Sequence, residues 1–451
     1  MATTAGNIDS TFLSTVSFTN TLEQREILKS ILDIYDEEAT VLDIMDMTGA
    51  AVPSAQTEFF HTTNDFLYAT ASVKANASAG NAGATVTVVI ETSEGVTPVV
   101  GELCLFNNGV VAYVNSVVDN GSDAADKDVA LKPVNSDDSI PAQADGDVLS
   151  FFSNAYAEGT GVNQMRKSNL VKRSNKLQIF KTKTSVTDIA YGSKVEVEFK
   201  GKPYYFLKQQ HDAFVKHRMD IAFAMLFGRA SKGLTNAASG AINTTAGLRD
   251  TIINSGGITA QTSTANTIQL GDYKTLSRTM DANRCPSEYF MYAGADYDNN
   301  FDEDLSAAAP FVSGGIQYNA FGSGNGKAKA LELGIDSIKM FGRTFHKKRF
   351  AALSHPKVSS TAQLNQFADE AYLVPANTIK VDGGGGAQRR MQVRYLEMQD
   401  GVNSRFREKI LGGLAPTPTS ATDTLDIVYT SIEGLQVLGS EHFVKHDCKD
   451  S

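Results

Sequence analysis

PYYFLKQQHDAFVKHRMDIAFAMLFGR, residues 203–229, is an unbroken helical pattern with Pro203 in front and Gly228 and Gly233 behind. Proline suits a first helical turn, where its missing N–H costs nothing, and glycine lets the chain leave. Leu207, Phe214, Ile221 and Met225 recur at helical spacing and predict one stripe facing a core. Lys208, Asp212, Lys216 and Asp220 alternate in sign one turn apart, each pair contributing a few tenths of a kcal/mol. At about 1.5 Å per residue this is a rod of about 40 Å, long for a globular domain and expected to act as a spine.

The rest of the composition bounds the answer. A chain of 451 residues, 42% hydrophobic and 20% charged, is long enough for two or three domains with a sizeable core. It has no apolar run of membrane-spanning length, and MATTAGNIDSTFLST lacks the layout of a secretion signal, which predicts synthesis in the cytoplasm. Cys104, Cys285 and Cys448 are far apart and odd in number, so unpaired thiols are expected. A net charge of −10 argues against a protein that coats nucleic acid.

Residues 1–18 read as a small, polar arm, followed by a helix opened by the Thr21/Gln24 pair and lined by Leu28, Ile31, Leu32 and Tyr35. That helix runs into the acids Asp36, Glu37 and Glu38, with Asp43 and Asp46 beyond; acids at a helix C-terminus oppose its dipole, which points to a basic partner elsewhere. Residues 69–83 have the composition of a linker. Strand patterns at 85–91, 102–106, 110–118, 129–134 and 148–152, punctuated by Asn108-Gly109, Asn120-Gly121 and Asp145-Gly146, predict a small antiparallel sandwich or barrel. A basic run follows: Arg166, Lys167, Lys172, Arg173, Lys176, Lys181 and Lys183, with no acid between them. A solvated face, nucleic-acid binding and a dock for an acidic neighbour are the three readings of the run; only Phe180 could stack on a base, so the aromatic interleaving of a single-strand binder is missing. Beyond the spine, Asp272–Asn283 predicts a helix, while Ser287–Ala293, Ser337–Phe345, Phe350–Ser354, Met391–Met398, Leu425–Ile432 and Leu435–Leu438 predict strands, giving an α+β class.

The motifs of chemistry fail on inspection. GSGNGKA at 322–328 has Phe321 where a phosphate loop needs glycine and Ala328 where it needs Ser or Thr. Asp296, Asp298, Asn300, Asp302 and Asp304 begin like a calcium loop, but Phe301 occupies the sharp-turn glycine position and Ala307 that of the bidentate Glu. His211 and His217 lie on different helix faces, and His442 and His446 lack a third ligand. The reading is therefore of a protein without catalytic residues, metal or cofactor.

Several stretches resemble one family. GDVLSFFSNAYAEGTGVNQMRKSN (146–169) with LQIFKTKTSVT (177–187), KHRMDIAFAMLFGRASKG (216–233), GLRDTIINSGG (247–257) and DTLDIVYTSIEGLQVLGSEHFVKH (423–446) are similar, in that order, to segments of the major capsid proteins of tailed double-stranded DNA bacteriophages. The resemblance implies the Hong Kong 97-like capsid fold: an arm over 1–65, an extended loop over 66–190 with an inserted β-domain at about 84–152, and a peripheral domain over 191–257 built on the spine. An axial domain over 258–385 and return strands over 386–451 would complete it. It implies a non-enzymatic subunit forming hexamers and pentamers of an icosahedral virion shell, made in the bacterial host cytoplasm. Its partners would be copies of itself and portal, scaffold or decoration proteins, with duplex DNA enclosed without specific binding. Arg166, Lys167, Lys172 and Arg173 are the candidate inter-subunit contacts for Asp36, Glu37 and Glu38. An extracellular β-rich surface-layer or adhesin protein is the alternative.

Overall fold

The computed structural model of the chain describes residues 41, 47–48, 51–64, 69–91, 97–121, 126–161, 170–193, 205–236, 240–265, 267–308, 337–355, 367–380, 386–398 and 404–449. The arm helix, residues 162–169 with Arg166 and Lys167, and the glycine-rich stretch 322–328 lie outside them. The chain forms two compact units, a body (1–60 and 174–451) and an insertion (61–173). Strands β2 (Glu58–Asn64) and β9 (Leu170–Lys176), which carry the chain out and back, pair with each other.

The insertion is a closed barrel of β3 (Ala69–Val73), β4 (Val86–Glu91), β5 (Glu102–Leu105), β6 (Val111–Asp119), β7 (Lys127–Pro133) and β8 (Val148–Asn154), in the order β3-β4-β7-β6-β5-β8. Alternate residues such as Val88, Ile90, Val114, Val129, Leu131 and Leu149 fill its interior. Ala69–Val73 corrects the sequence reading. Its alanines and serine look like linker, yet it closes the barrel by pairing with both β4 and β8. Small side chains suffice there because backbone bonds, and Ala71 and Val73 turned inward, hold the seam.

Among the described residues, the body holds two large sheets and two short two-stranded ribbons. One large sheet runs β1 (Val52–Ser54), β16 (Met391–Leu396), β18 (Thr424–Val437), β10 (Gln178–Thr187), with β17 (Arg407–Leu411) also on β18. The other runs β11 (Ile258–Ala265), β19 (Val444–Lys449), β15 (Glu370–Pro375), β12 (Glu288–Ala293), β14 (Arg343–Arg349), β13 (Ser337–Met340). Every residue of β15 is buried, because the sheet is covered on both faces. Tyr372 and Val374 join the spine α1 (Tyr205–Phe227) and α2 (Leu248–Asn254) in one core. Ala371 and Leu373 join Tyr273, Leu276 and Met280 of α3 (Leu270–Ala282) with Tyr297 and Phe301 of α4 (Ala295–Ala308) in the other.

Three strand readings change. Ser337–Phe345 is not one strand but parts of two, turned at Phe341 and Gly342, both with positive φ. Phe350–Ser354 gives a short 3-10 turn at Ala351–Ser354, because the Phe350 N–H donates to the Ala293 carbonyl and the Leu353 N–H to that of Phe350. Residues 425–432 and 435–437, read as parts of two strands, belong to the single fourteen-residue strand β18, and Leu438 lies just beyond it. Gly434 does not break it; a Cβ there would lie 2.7 Å from the Lys176 carbonyl oxygen, so glycine serves close backbone approach.

The spine ends as its sequence predicts, with an added device. The Gly228 carbonyl accepts from the Gly247 N–H at 2.8 Å, so the exit loop returns against the helix end. A Cβ on Gly247 would meet the Leu226 carbonyl carbon at 2.7 Å and the Gly228 nitrogen at 2.8 Å. The loop then enters α2, where Arg249 forms a fork with Glu370 (Nη2 to Oε1 3.0 Å). Lys445 from β19 reaches the same Oε1 at 3.0 Å, and the Tyr372 hydroxyl donates to Oε2. A buried carboxylate with three donors offsets its desolvation and ties α2 to two strands. Gly247→Val is expected to lower the stability of the unassembled subunit by about 1–3 kcal/mol in denaturant titration. Gly271→Ala, with nothing within 4 Å of the new methyl, is expected to leave it unchanged or slightly raised.

Candidate functional site

The spine packs on β10 and β18, and one buried polar side chain bonds it to both strands. His217 is fully buried, with Nδ1 3.0 Å from the Thr182 hydroxyl and Nε2 2.9 Å from the Ser431 hydroxyl. Burial lowers its pKa, so the neutral ring holds two strands at once, one nitrogen donating and the other accepting. Phe406 and Tyr429 flank the ring, and Phe214 meets both edge-on. The predicted apolar stripe is therefore wider than four residues: Val215, Met219, Ala222, Phe223 and Leu226 are also buried, while Leu207 and Phe214 are only half-buried. Lys208 and Asp212 form the expected pair at 3.1 Å on the exposed side.

Because side chains alternate, fixing Thr182 and Ser431 against the spine turns their neighbours outward. Lys181 opposes Thr430, which opposes Arg407 on the far strand, and Lys183 opposes Val428, which opposes Lys409. Opposed residues share a face, so four cations stand in two rows on the sheet surface away from the spine. Lys181, Lys183 and Lys409 are exposed and Arg407 half-buried. Asp426 is one row further, 2.8 Å from Lys183, and hydrogen bonds from Lys183 and Ser185 hold its carboxyl below the usual range. Sequence reasoning found the two β10 lysines and missed Arg407 and Lys409, since Glu408 between them hides the alternation until strand pairing supplies the face.

Of the predicted charge contacts, the structure describes Lys172, exposed, and Arg173, half-buried, both on β9. Arg166, Lys167, Asp36, Glu37 and Glu38 lie outside the described residues. Val41 and Met47, which flank Asp43 and Asp46, are buried in the body core.

The acidic stretch 296–304 is helical. Lys347 from β14 lies 2.7 Å from Asp298 and 2.5 Å from Asp302, supplying the positive charge that a loop ion would otherwise provide. His446 is buried on β19 with Nδ1 2.6 Å from the Tyr297 hydroxyl, and burial pushes its pKa down to about 4. Among the described residues no three His, Cys, Asp or Glu side chains gather to hold a metal, and the three cysteines are free.

Glu433 is the carboxyl poised near neutrality. It is buried on β18, and desolvation pushes its pKa up to about 7 against the pull of Arg405, whose Nε donates to it at 3.2 Å. A raised folded-state pKa means that stability is greatest below the ordinary glutamate value near 4.5 and declines as pH rises through about 7. Glu433→Gln is expected to remove this dependence, flattening by about 3 kcal/mol the fall in unfolding free energy of the unassembled subunit between pH 4.5 and 8.

Comparison with known proteins completes the picture. The cyanophage A-1(L) capsid is 8% identical with a TM-score of 0.47, over 97% of this chain and 100% of that one. A chain from the structure of Mycobacterium phage Adephagia is 9% identical with a TM-score of 0.42, over 98% of this chain and 100% of that one, and the capsid of the native GTA particle is 8% identical at 0.42, over 97% and 99%. No curated protein matches the sequence. The sequence model described as SU10 major capsid protein matches residues 10–327. The chain thus belongs to the SU10 major capsid protein family and is a structural subunit of a bacteriophage head.

Proposed function

We propose that copies of this chain associate as hexamers and pentamers of an icosahedral head that encloses duplex DNA by confinement, and that the subunit carries out no chemistry. The match to a major capsid family over residues 10–327 is the observation that carries this reading. A body in which a 23-residue helix is fixed to a five-stranded sheet by a buried histidine suits the part, since a wall element must transmit load without bending. Portal, scaffold and decoration proteins are the other partners proposed. The purified protein is expected to reach megadalton mass by light scattering and to form closed shells in electron micrographs; planar sheets, fibres or isolated subunits would overturn the assignment.

Within that shell, Arg166, Lys167, Lys172 and Arg173 of one copy are proposed to meet Asp36, Glu37 and Glu38 of its neighbour. Steering of this kind is screened at high salt. Reversing the four bases to Glu is expected to abolish shells while leaving a folded, soluble subunit by circular dichroism and sedimentation; normal particles from this variant would eliminate the pairing.

A further inference from the structure

The net charge of −10 is not spread over the molecule. Residues 61–161, which hold the barrel, contain 13 of the 51 acids and 3 of the 41 bases, so the remainder of the chain is neutral with 38 of each. The charge that counts against contact with a polyanion is concentrated in residues 61–161; the whole insertion, 61–173, has 13 acids and 7 bases because Arg166, Lys167, Lys172 and Arg173 lie at its end, and the body has 38 acids and 34 bases. On the body, the face of β10, β18 and β17 carries Lys181, Lys183, Arg407 and Lys409 with a single carboxylate, Asp426, already held by Lys183. Among the described residues no carboxylate pairs with Lys181, Arg407 or Lys409, and Arg407 Nε has no hydrogen-bond partner.

We propose that this face is where the shell touches the phosphate backbone of the packaged duplex. The inference rests on the reading that the shell encloses duplex DNA, and it adds the surface that meets it. Rows two residues apart along a strand are separated by about 6.8 Å, and columns two strands apart by about 9.6 Å. Duplex DNA carries one charge per about 1.7 Å of axis, so a patch of this size faces several phosphates together. Arginine and lysine are the donors that phosphate oxygens take. No aromatic side chain stands on the face, so it has no platform for bases and contacts made there are blind to sequence. An acidic protein partner fits less well. The exposed apolar residues Ile179 and Leu411 lie at opposite corners with the charged rows between them, so the face lacks the contiguous apolar centre of a protein interface.

The test is fluorescence anisotropy of a labelled random-sequence 40-base-pair duplex with the unassembled full-length subunit, across a series of NaCl concentrations. Wild type is expected to bind with a steep salt dependence. The K181Q/K183Q/R407Q/K409Q variant is expected to bind at least about tenfold more weakly at 50 mM salt, with the slope of log affinity against log salt reduced by about three. K181R/K183R/K409R, which keeps the charge, is expected to bind like wild type, separating charge from damage to the sheet. A wild type that does not bind, or a quadruple glutamine variant whose affinity and slope are unchanged, overturns the proposal. So does a variant that keeps its DNA affinity and instead fails to form shells, because the face would then serve an acidic protein neighbour. Micrographs of the same wild-type preparation keep the two readings apart: shells without DNA affinity sink only this inference, whereas no shells sink the capsid reading itself.

Discussion

The body depends on the need of one buried strand for partners along both edges. Thr424–Val437 is enclosed over most of its length, and an unpaired N–H or C=O there would cost as much as a lost hydrogen bond. One edge is filled by Gln178–Thr187; the other is shared by Arg407–Leu411 and Met391–Leu396, laid end to end. That requirement draws together the return limb of the insertion and two late segments of the chain. It also sets every face: with Ser431 turned toward His217, its neighbours Thr430 and Ile432 must turn away.

Charge inside the body is handled by pairing rather than exclusion. Arg249, Lys445 and Tyr372 converge on Glu370, and Lys347 sits between Asp298 and Asp302. Each group links elements distant in sequence, so loss of one partner leaves another charge stranded away from water. Glu433 is the carboxyl whose burial outweighs its cation: desolvation raises its pKa to about 7, and the half-exposed Arg405 only partly opposes that rise.

What could be read from residues alone follows from how local each signal is. The spine was legible because Pro203, Gly228 and the periodic Phe, Ile and Met between them are all carried within the helix. Barrel strands were legible through β-branched runs and Asn-Gly or Asp-Gly turns, but Ala69–Val73 was not, since its place is decided by β4 and β8 rather than by its own composition. Leu425–Ile432 and Leu435–Leu438 read as two strands because the close approach of Gly434 to the Lys176 carbonyl, which keeps them in one strand, is made by a segment distant in sequence. The basic face escaped because it is assembled from segments more than two hundred residues apart. The role of His217 was not legible because its two hydroxyl partners come to it from different strands.

The barrel closes on itself and exposes no unpaired strand edge, and the chain enters and leaves it along two strands that are each other's partners. A module with adjacent ends and a private core can be lost, swapped or enlarged in descent while the body keeps its own sequence constraints. Related heads are thus free to differ in this appendage as widely as selection on it demands, and a foreign domain with similarly spaced ends is a natural graft at the same stem.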